Sequence, residues 1–398
     1  MKILIISPTS ISSVSGNACT VQRIQKHLAS SNSVCITCSV DVIISQNAKC
    51  TRVQLKNFVA KNGIDCILFL HAYKSAKILL CSCEKCSKHP LSVPYGIIFG
   101  GTDLNADILD EEKCLDVKEI LLNAKFAVAF TEDLRRTASQ LVPQLNIFVQ
   151  PQAVELVNVE PKALHNVDFN SNMFTDNGNH NLYGFLMVTG IRPVKDPIFL
   201  LEAWMKWCKN NQHLNLKLLI IGPVIDLEYA DSFFNLLASL KDNWTQNDFT
   251  AKQSTQFKAK SLDDIFDWFG EPDSFPILYS SALPREELKI LMHSSFIFAS
   301  INSSYSEGMA SAVLESMANK IPVIARDNSG NRSLVEDNKT GLLYQTCEDF
   351  MKQTEKLIEN PGLRSLIIEN AFQMVQNEHS IEKEKEFYSN LCQDFFAK

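Results

Sequence analysis

Two glutamates eight residues apart offer carboxylate chemistry in the last third of the chain. In SYSEGMASAVLESMANKIPVIA, Glu307 stands beside a glycine and Glu315 stands inside an apolar helical run. On a continuous helix this interval is about 12 Å along the axis and about 80° of rotation. A carboxylate beside Val313 and Leu314 is costly to bury alone, and a pair of ligand hydroxyls could satisfy both of its oxygens. Spacing alone still favours a plainer interpretation, a salt bridge or a solvent-facing glutamate.

A pair of basic residues follows a strand-like run earlier in the chain. In MVTGIRPVKDPIFLLEAW, Arg192 and Lys195 come just before an apolar helical stretch. Two cations at the start of a helix could stabilise negative charge on a ligand. Solvent-exposed loop charges explain the pair equally well when it is taken alone.

Small and polar residues follow strand-like runs in the first half of the chain. They occur in VSGNACTVQRI and YGIIFGGTDLN, and they are Gly16, Asn17, Gly100, Gly101, Thr102 and Asp103. In open parallel sheets, ligands bind beyond the carboxyl ends of the strands, where loops and helix N-termini converge. A single glycine in a turn is weak evidence, because loops also use glycine to reach positive φ.

The elements that must position these residues alternate between strands and helices. The strand-like runs of the first half are KILII, VCITC, DCILFL, YGIIF, FAVAF and NIFVQ, and its helices include residues 17–30, 74–86 and 131–140. The second half has GFLMVTG, LKLLIIG, FPILYS, FIFAS and IPVIA as strands, and DPIFLLEAWMKWCKN and PREELKILMHSS as helices. This alternation predicts two α/β units of Rossmann-like type, each with a parallel sheet covered on both faces.

Changes in composition predict a domain boundary, an insertion and a final helix. A polar, Asn-rich stretch begins near residue 151, so we expect an N-terminal domain at 1–150 and a C-terminal domain at 151–380. Residues 241–274 are expected to form an irregular insertion in the second domain. Residues 381–398 belong to a final amphipathic helix.

Composition excludes several classes of protein. The 398 residues are 45% hydrophobic, which is typical of a globular chain of two domains. The net charge of −7 is spread without runs, so no nucleic acid or anionic membrane partner is expected. No apolar window reaches the length of a membrane span. The start, MKILIISP, is too short for a secretory signal, and the 12 scattered cysteines are typical of reduced thiols, so we expect a soluble, cytoplasmic protein.

Several of these stretches together resemble one enzyme family. The pair of glutamates followed by KIPVIARDNSGNRSLVEDNKTGLLY, over about residues 290–345, is similar to the donor-binding signature of the glycosyltransferase group 1 family, the family 4 type of retaining GT-B glycosyltransferases. SGNACTVQRI, FGGTDLN and GIRPVKDP are most similar to its glycosyltransferase 1 domain-containing subgroup. The resemblance implies a GT-B fold: two Rossmann-like domains facing a cleft, with a C-terminal helix that crosses back to the first domain.

The resemblance also implies a role for each motif residue. Glu315 would accept hydrogen bonds from a ribose, Glu307 would contact the transferred sugar, and Arg192 with Lys195 would act on the leaving diphosphate. The remaining donor-side and acceptor-side positions are Gly308, Met309, Ala310, Gly16, Asn17, Gly101, Thr102 and Asp103. The donor would be a UDP- or GDP-sugar that serves as substrate, the acceptor hydroxyl is unidentified, and neither cofactor nor metal is implied.

One position departs from the family pattern. Many relatives have a histidine before GTD, near the reacting sugar, and this chain has Gly100 there. Either another side chain takes the role of that histidine, or the reaction proceeds without one. His71, directly after a predicted strand, is the nearest candidate by topology, although a purely structural histidine is the favoured interpretation.

Three alternatives remain open at this point. The segment CSCEKCSKH offers Cys81, Cys83, Cys86 and His89 for zinc, but its Cys-x-Cys spacing is tight and reduced thiols are favoured. Loss of the histidine would also fit a nucleotide-sugar-binding or regulatory protein that no longer catalyses transfer. A dinucleotide-dependent oxidoreductase is disfavoured, because neither half contains Gly-x-Gly-x-x-Gly followed by an acidic residue.

Overall fold

The alternation of strands and helices forms two separate units. The computed structural model describes residues 1–8, 10, 16–29, 33–44, 50–80, 91–156, 182–245, 257–272 and 274–396. The first unit consists of Met1–Ala153, Ser306–Met309 and Glu378–Lys398. The second consists of Val154–Tyr305 and Ala310–Asn377.

The first unit is built on a parallel sheet of apolar strands. In chain order the strands are β1 (Lys2–Ser7), β2 (Val34–Ser39), β3 (Cys66–Leu70), β4 (Tyr95–Ile98), β5 (Ala127–Ala129) and β6 (Ile147–Val149). The sheet order is β2-β1-β3-β4-β5-β6, and every pairing is parallel. In β1, Ile3 and Ile5 are as fully buried as Leu4 and Ile6, because helices cover both faces of such a sheet. All six strand runs predicted from the sequence are confirmed.

The helices of the first unit follow from apolar spacing and from caps. They are α1 (Gly16–Ala29), α2 (Val40–Ile43), α3 (Thr51–Asn62), α4 (Thr102–Asn105), α5 (Glu111–Leu122) and α6 (Glu132–Leu141). Asp110 caps α5 by accepting a hydrogen bond from the Lys113 amide at 3.1 Å. Thr131 caps α6 in the same way through the Leu134 amide.

The second unit has its own parallel sheet. Its strands are β7 (Leu182–Val188), β8 (Asn215–Ile221), β9 (Lys258–Ala259), β10 (Ile277–Ser280), β11 (Ile297–Asn302), β12 (Val323–Arg326) and β13 (Leu342–Tyr344). Their order is β13-β12-β11-β7-β8-β10-β9. The helices are α7 (Leu201–Asn210), α8 (Leu227–Thr245), α9 (Leu262–Gly270), α10 (Arg285–Met292), α11 (Ser311–Ala318), α12 (Ser329–Arg332), α13 (Cys347–Glu359) and α14 (Pro361–Glu378).

Two predicted segments differ from the structure. The predicted helix at 74–86 is wrong over its described part, where only a short 3-10 helix forms at Ala76–Leu79; residues 81–86 lie outside the described residues. The predicted irregular insertion at 241–274 is also wrong over its described part, which contains the end of α8, β9 and the amphipathic helix α9; residues 246–256 and 273 lie outside the described residues. A capping box between Ser261 and Asp264 starts that helix, and its apolar face is buried.

The last helix, α15 (Ile381–Phe396), belongs to the first unit. Its buried face carries Tyr388, Leu391 and Cys392, and the ring of Phe396 lies 5.3 Å from the ring of Phe126. The expectation that the final helix crosses back to the first domain is confirmed. Within the described ranges no helix is both long and apolar enough to cross a membrane.

Candidate functional site

In the second unit, the segment with the two basic residues lies beside the segment that follows β11. β7 and β11 are parallel neighbours, so their carboxyl ends lie at the same edge of the sheet. The Ser303 hydroxyl donates to the carbonyl of Lys195 at 2.9 Å, and the Tyr305 amide donates to the carbonyl of Val194 at 2.9 Å. The structure therefore holds the backbone that carries Arg192 and Lys195 against the loop after β11.

An ion pair fixes the residue that follows Lys195. Asp196 has a left-handed backbone, with φ 44° and ψ 50°, which is uncommon for a residue other than glycine. Its carboxylate accepts a hydrogen bond from Arg326 at 2.7 Å and another from the Tyr229 hydroxyl at 3.2 Å. The Arg326 guanidinium also stacks 3.9 Å over the ring of Phe199. Neither Asp196 nor Arg326 was predicted from the sequence, although an aspartate before a proline indicates a turn.

Asparagine side chains join the next loop to the end of β11. Asn328 donates to the carbonyl of Ser304 at 2.9 Å, and Asn331 donates to Asn302 Oδ1 at 3.0 Å. The Tyr344 hydroxyl donates to the Asn302 carbonyl at 3.0 Å, and burial raises the pKa of Tyr344 well above its ordinary value. This phenol therefore stays a neutral donor. These contacts give a structural role to the asparagines of DNSGNRSLVED.

Glu315 lies on α11, and its side chain is half-buried. The apolar face of the helix is formed by Val313, Leu314 and Met317, so the glutamate lies beside the core. The helix begins at Ser311, so three of the residues that the resemblance placed at the site, Gly308, Met309 and Ala310, precede it. The 12 Å separation of the two glutamates assumed a continuous helix and does not apply.

Glu307 is buried and belongs to the first unit with its neighbours. The side-chain amide of Asn105 donates to the Glu307 carbonyl at 2.8 Å. Gly101 has φ +103°, and a Cβ placed on it would lie 2.3 Å from the Cα of Gly308. Only a residue without a side chain allows this approach of the two backbones.

Asp103 anchors the loop after β4. Its carboxylate is fully buried and accepts hydrogen bonds from the amides of Ala72 at 2.8 Å, Gly100 at 3.1 Å and Gly101 at 2.8 Å. Because its carboxylate is occupied by these three backbone amides, Asp103 contributes to a site by fixing the shape of the loop after β4.

His71 is buried and lies against the same loop. It has φ +78°, Nδ1 accepts a hydrogen bond from the Lys74 amide at 3.1 Å, and Nε2 lies 2.8 Å from Thr102 Oγ1. Because Nδ1 acts as acceptor, the neutral ring carries its proton on Nε2 and donates it to Thr102. The carboxylate of Asp107 lies 3.7 Å from the same nitrogen.

The other predicted residues are placed as follows. Gly16 and Asn17 form the start of α1, exposed and half-buried, and residues 11–15 before them lie outside the described residues. The four candidate zinc ligands Cys81, Cys83, Cys86 and His89 also lie outside them. Among the residues that the structure does describe, no three His, Cys, Asp or Glu side chains are grouped to hold a metal ion.

Comparison with known proteins agrees with the motifs and the fold. Residues 277–374 match the family model "Glycosyl transferases group 1". Glycosyltransferase 1 domain-containing protein 1 from Xenopus tropicalis is 28% identical over 393 residues, which cover 98% of this chain and 97% of that protein.

Two solved structures share the fold over nearly the full length. Sucrose-phosphate synthase from Thermosynechococcus elongatus has a TM-score of 0.71 and 15% identity, covering 100% of this chain and 99% of that one. HepE from Anabaena in complex with UDP-glucose has a TM-score of 0.70 and 12% identity, covering 99% of this chain and 100% of that one.

Two parallel-sheet α/β units with these structural neighbours define a protein of the GT-B fold. The resemblance to the group 1 glycosyltransferases seen in the motifs is confirmed by the family model over residues 277–374 and by the relative of nearly equal length. This similarity supports sugar transfer from a nucleotide-sugar donor as the activity.

Proposed function

We propose that the chain is a metal-independent, retaining hexosyltransferase that moves a sugar from a UDP- or GDP-sugar to an acceptor hydroxyl. The observation that carries the proposal is the arrangement at the edge of the second sheet. There, Ser303 and Tyr305 hold the backbone between Arg192 and Lys195 against the loop after β11. Glu315 follows on the next helix of the same unit.

Each motif residue has a role in this proposal. Arg192 and Lys195 bind the diphosphate and stabilise the charge that develops on it as the glycosidic bond breaks. Glu315 accepts hydrogen bonds from the two ribose hydroxyls. Glu307 contacts the transferred sugar, and the loop shaped by Asp103 supports the segment that contains Glu307. Positioning and leaving-group electrostatics then supply most of the lowering of the barrier.

The proposed reaction needs no protein nucleophile. The bond between the anomeric carbon and the diphosphate oxygen breaks through an oxocarbenium-like state, and the acceptor oxygen forms its bond on the same face. The acceptor proton passes to an oxygen of the departing diphosphate, so configuration is retained and charges balance. This chemistry does not require a histidine at position 100, which supports transfer despite Gly100.

The experiment that tests the donor site is a thermal-shift titration with UDP, GDP, ADP and their common sugar conjugates. A ligand at 100 times its Kd stabilises the folded state by about 2.7 kcal/mol. We expect one nucleotide to stabilise the wild type and Glu315→Ala to lose most of that shift. Glu369→Ala, at an exposed position on α14, is the matched control and should keep it.

The same titration, followed by a turnover assay with the sugar conjugate that binds, separates the proposal from its alternative. A conjugate that binds without being transferred, and is hydrolysed only slowly, would favour a binding or regulatory protein that has lost transfer, an alternative suggested by Gly100. If no nucleotide shifts the melting temperature of the wild type, the proposed donor site is wrong.

A further inference from the structure

A chain of buried polar contacts in the first unit begins at Glu384 on the C-terminal helix. Its side chain has no exposed surface. Its carboxylate accepts hydrogen bonds from Arg23 Nε at 2.7 Å, Arg23 Nη2 at 3.1 Å, His27 Nε2 at 2.8 Å and the amide of Ala153 at 3.1 Å. A buried carboxylate with this many partners fixes the guanidinium beside it.

The next member of the chain is Gln152, which is 5% exposed. Its side-chain oxygen accepts hydrogen bonds from Thr20 Oγ1 at 3.0 Å and from Arg23 Nη2 at 3.3 Å. Its side-chain nitrogen donates to the carbonyl of Met309 at 3.1 Å. The main chain of Gln152 is held by His379, whose Nδ1 lies 2.6 Å from the Gln152 carbonyl oxygen.

These partners allow one orientation of the Gln152 amide. If the amide were flipped, its NH2 group would face the cationic Arg23 and its oxygen would face the Met309 carbonyl, so both contacts would become repulsive. Arg23 therefore determines which end of Gln152 points at Met309, and Glu384 determines where Arg23 lies. The Glu384 carboxylate on α15 thus acts, through Arg23 and Gln152, on the carbonyl of Met309, which follows Glu307 and Gly308.

We infer that Gln152 is a positioning residue for the segment Glu307–Met309, and that Glu384 acts on this segment through Arg23 and Gln152. Asn105 holds the Glu307 carbonyl and Gln152 holds the Met309 carbonyl, so the segment is fixed on both sides of Gly308. The inference rests on the proposed function, in which Glu307 contacts the transferred sugar. Gln152 does not itself need to touch the substrate.

The test compares Gln152→Met, which keeps the length of the side chain and removes its hydrogen bonds, with Tyr388→Phe on α15. Tyr388 is fully buried, and that change removes only its hydroxyl group. For hydrolysis of UDP-glucose we expect Gln152→Met to lower kcat by roughly tenfold to a hundredfold, since small misplacements cost this much. The thermal shift with UDP should be unchanged, because Arg192, Lys195 and Glu315 are untouched. Tyr388→Phe should keep kcat.

Glu384→Gln tests the chain behind Gln152. It should lower kcat as well, and the double variant with Gln152→Met should lose much less than the product of the two single losses, because both act on the same contact. If the kcat losses of the two single variants multiply in the double variant, Glu384 does not act on Glu307 through Gln152.

Hydrogen exchange tests the positioning without relying on activity. The amides of residues 307–309 should exchange faster in Gln152→Met than in the wild type or in Tyr388→Phe. Unchanged exchange in that peptide, or a lower melting temperature with unchanged kcat, would overturn the inference and leave Gln152 with a role in stability alone. A wild type that binds no nucleotide would instead contradict the proposed function, and the exchange result would stand separately.

Discussion

The imidazole of His71 occupies the space in which a side chain at Gly100 would lie. A Cβ on Gly100 would be 2.9 Å from His71 Cδ2, closer than such atoms come in folded proteins, and it would also contact His71 Cβ at 3.4 Å. The ring is held there by Thr102 and by the Lys74 amide, so it cannot turn aside without losing both contacts. The two positions thus share one side-chain volume, and the glycine in place of the family's histidine is a steric requirement of His71.

We predict that Gly100→Ala destabilises the protein by about 1 to 3 kcal/mol, the usual cost of an overpacked core. His71→Gly empties the shared volume, so adding Gly100→Ala to that variant should cost clearly less. Urea denaturation of the wild type, both single variants and the double variant measures this coupling. Gly270→Ala is the control, because a Cβ there meets no atom within 4 Å. Additive costs at 71 and 100 would contradict a shared volume.

Gly101→Ala should be more damaging than Gly100→Ala. Its Cβ would meet the Gly308 backbone at 2.3 Å, and its φ of +103° is strained for any residue with a side chain. Strain and overpacking together amount to about 2 to 6 kcal/mol. The side chain of His71 can shift more easily than the backbone of Gly308. Urea denaturation measures the two costs under one condition, and a smaller loss at 101 than at 100 would show that the segment around Gly308 yields easily.

Asp196 should control the nucleotide affinity of the loop that precedes it. Its amide lies 3.3 Å from the carbonyl of Arg192, so its left-handed backbone closes the turn that carries both basic residues. Asparagine tolerates this conformation but lacks the charge that pairs with Arg326, whereas alanine lacks both properties. We expect Kd for the stabilising nucleotide to rise in the order wild type, Asp196→Asn, Asp196→Ala. Calorimetric titration measures these Kd values. Equal values in the three proteins would show that the turn at Asp196 does not affect nucleotide binding.

The strands were predictable because they carry their own signal. In β1 and β3 the apolar run is continuous, since helices bury both faces, and no other part of the chain is needed to recognise it. Helix α9 carried a signal that was missed. Its Ser261–Asp264 capping box precedes Ile265, Trp268 and Phe269, which have helical spacing. The polar residues around this short helix made the stretch look irregular.

The candidate site was predictable only in part, for a physical reason. Arg192, Lys195, Glu307 and Glu315 lie in local motifs, so a resemblance could identify them. The contacts that hold the motifs join distant parts of the chain: Asn105 to Glu307 across 202 positions, and Arg23 to Glu384 across 361. No local spacing encodes such pairs.

Two buried groups in the first unit should make stability depend on pH in separate ranges. Burial lowers the pKa of His379, and the hydrogen bond to the Gln152 carbonyl and nearby Glu384 only partly offset this. Burial by itself would raise the pKa of Glu384, but hydrogen bonds from His27, Arg23 and the Ala153 amide, with the charge of Arg23, outweigh it and lower the pKa. In both cases the folded state binds its proton less readily than the unfolded chain does.

The sign of the effect is therefore the same for both groups, and their pH ranges differ. The free energy of unfolding should begin to fall as pH drops below about 6.5, the ordinary pKa of histidine, and fall further below about 4.3, that of glutamate. His379→Gln should remove the upper phase and Glu384→Gln the lower one, while Glu386→Gln, exposed on the same helix, should leave both. Urea midpoints measured from about pH 8 down to about pH 2.5, which spans both phases, test this. An upper phase that persists in His379→Gln would assign it to another group, and a stability that rises on acidification would contradict both pKa directions.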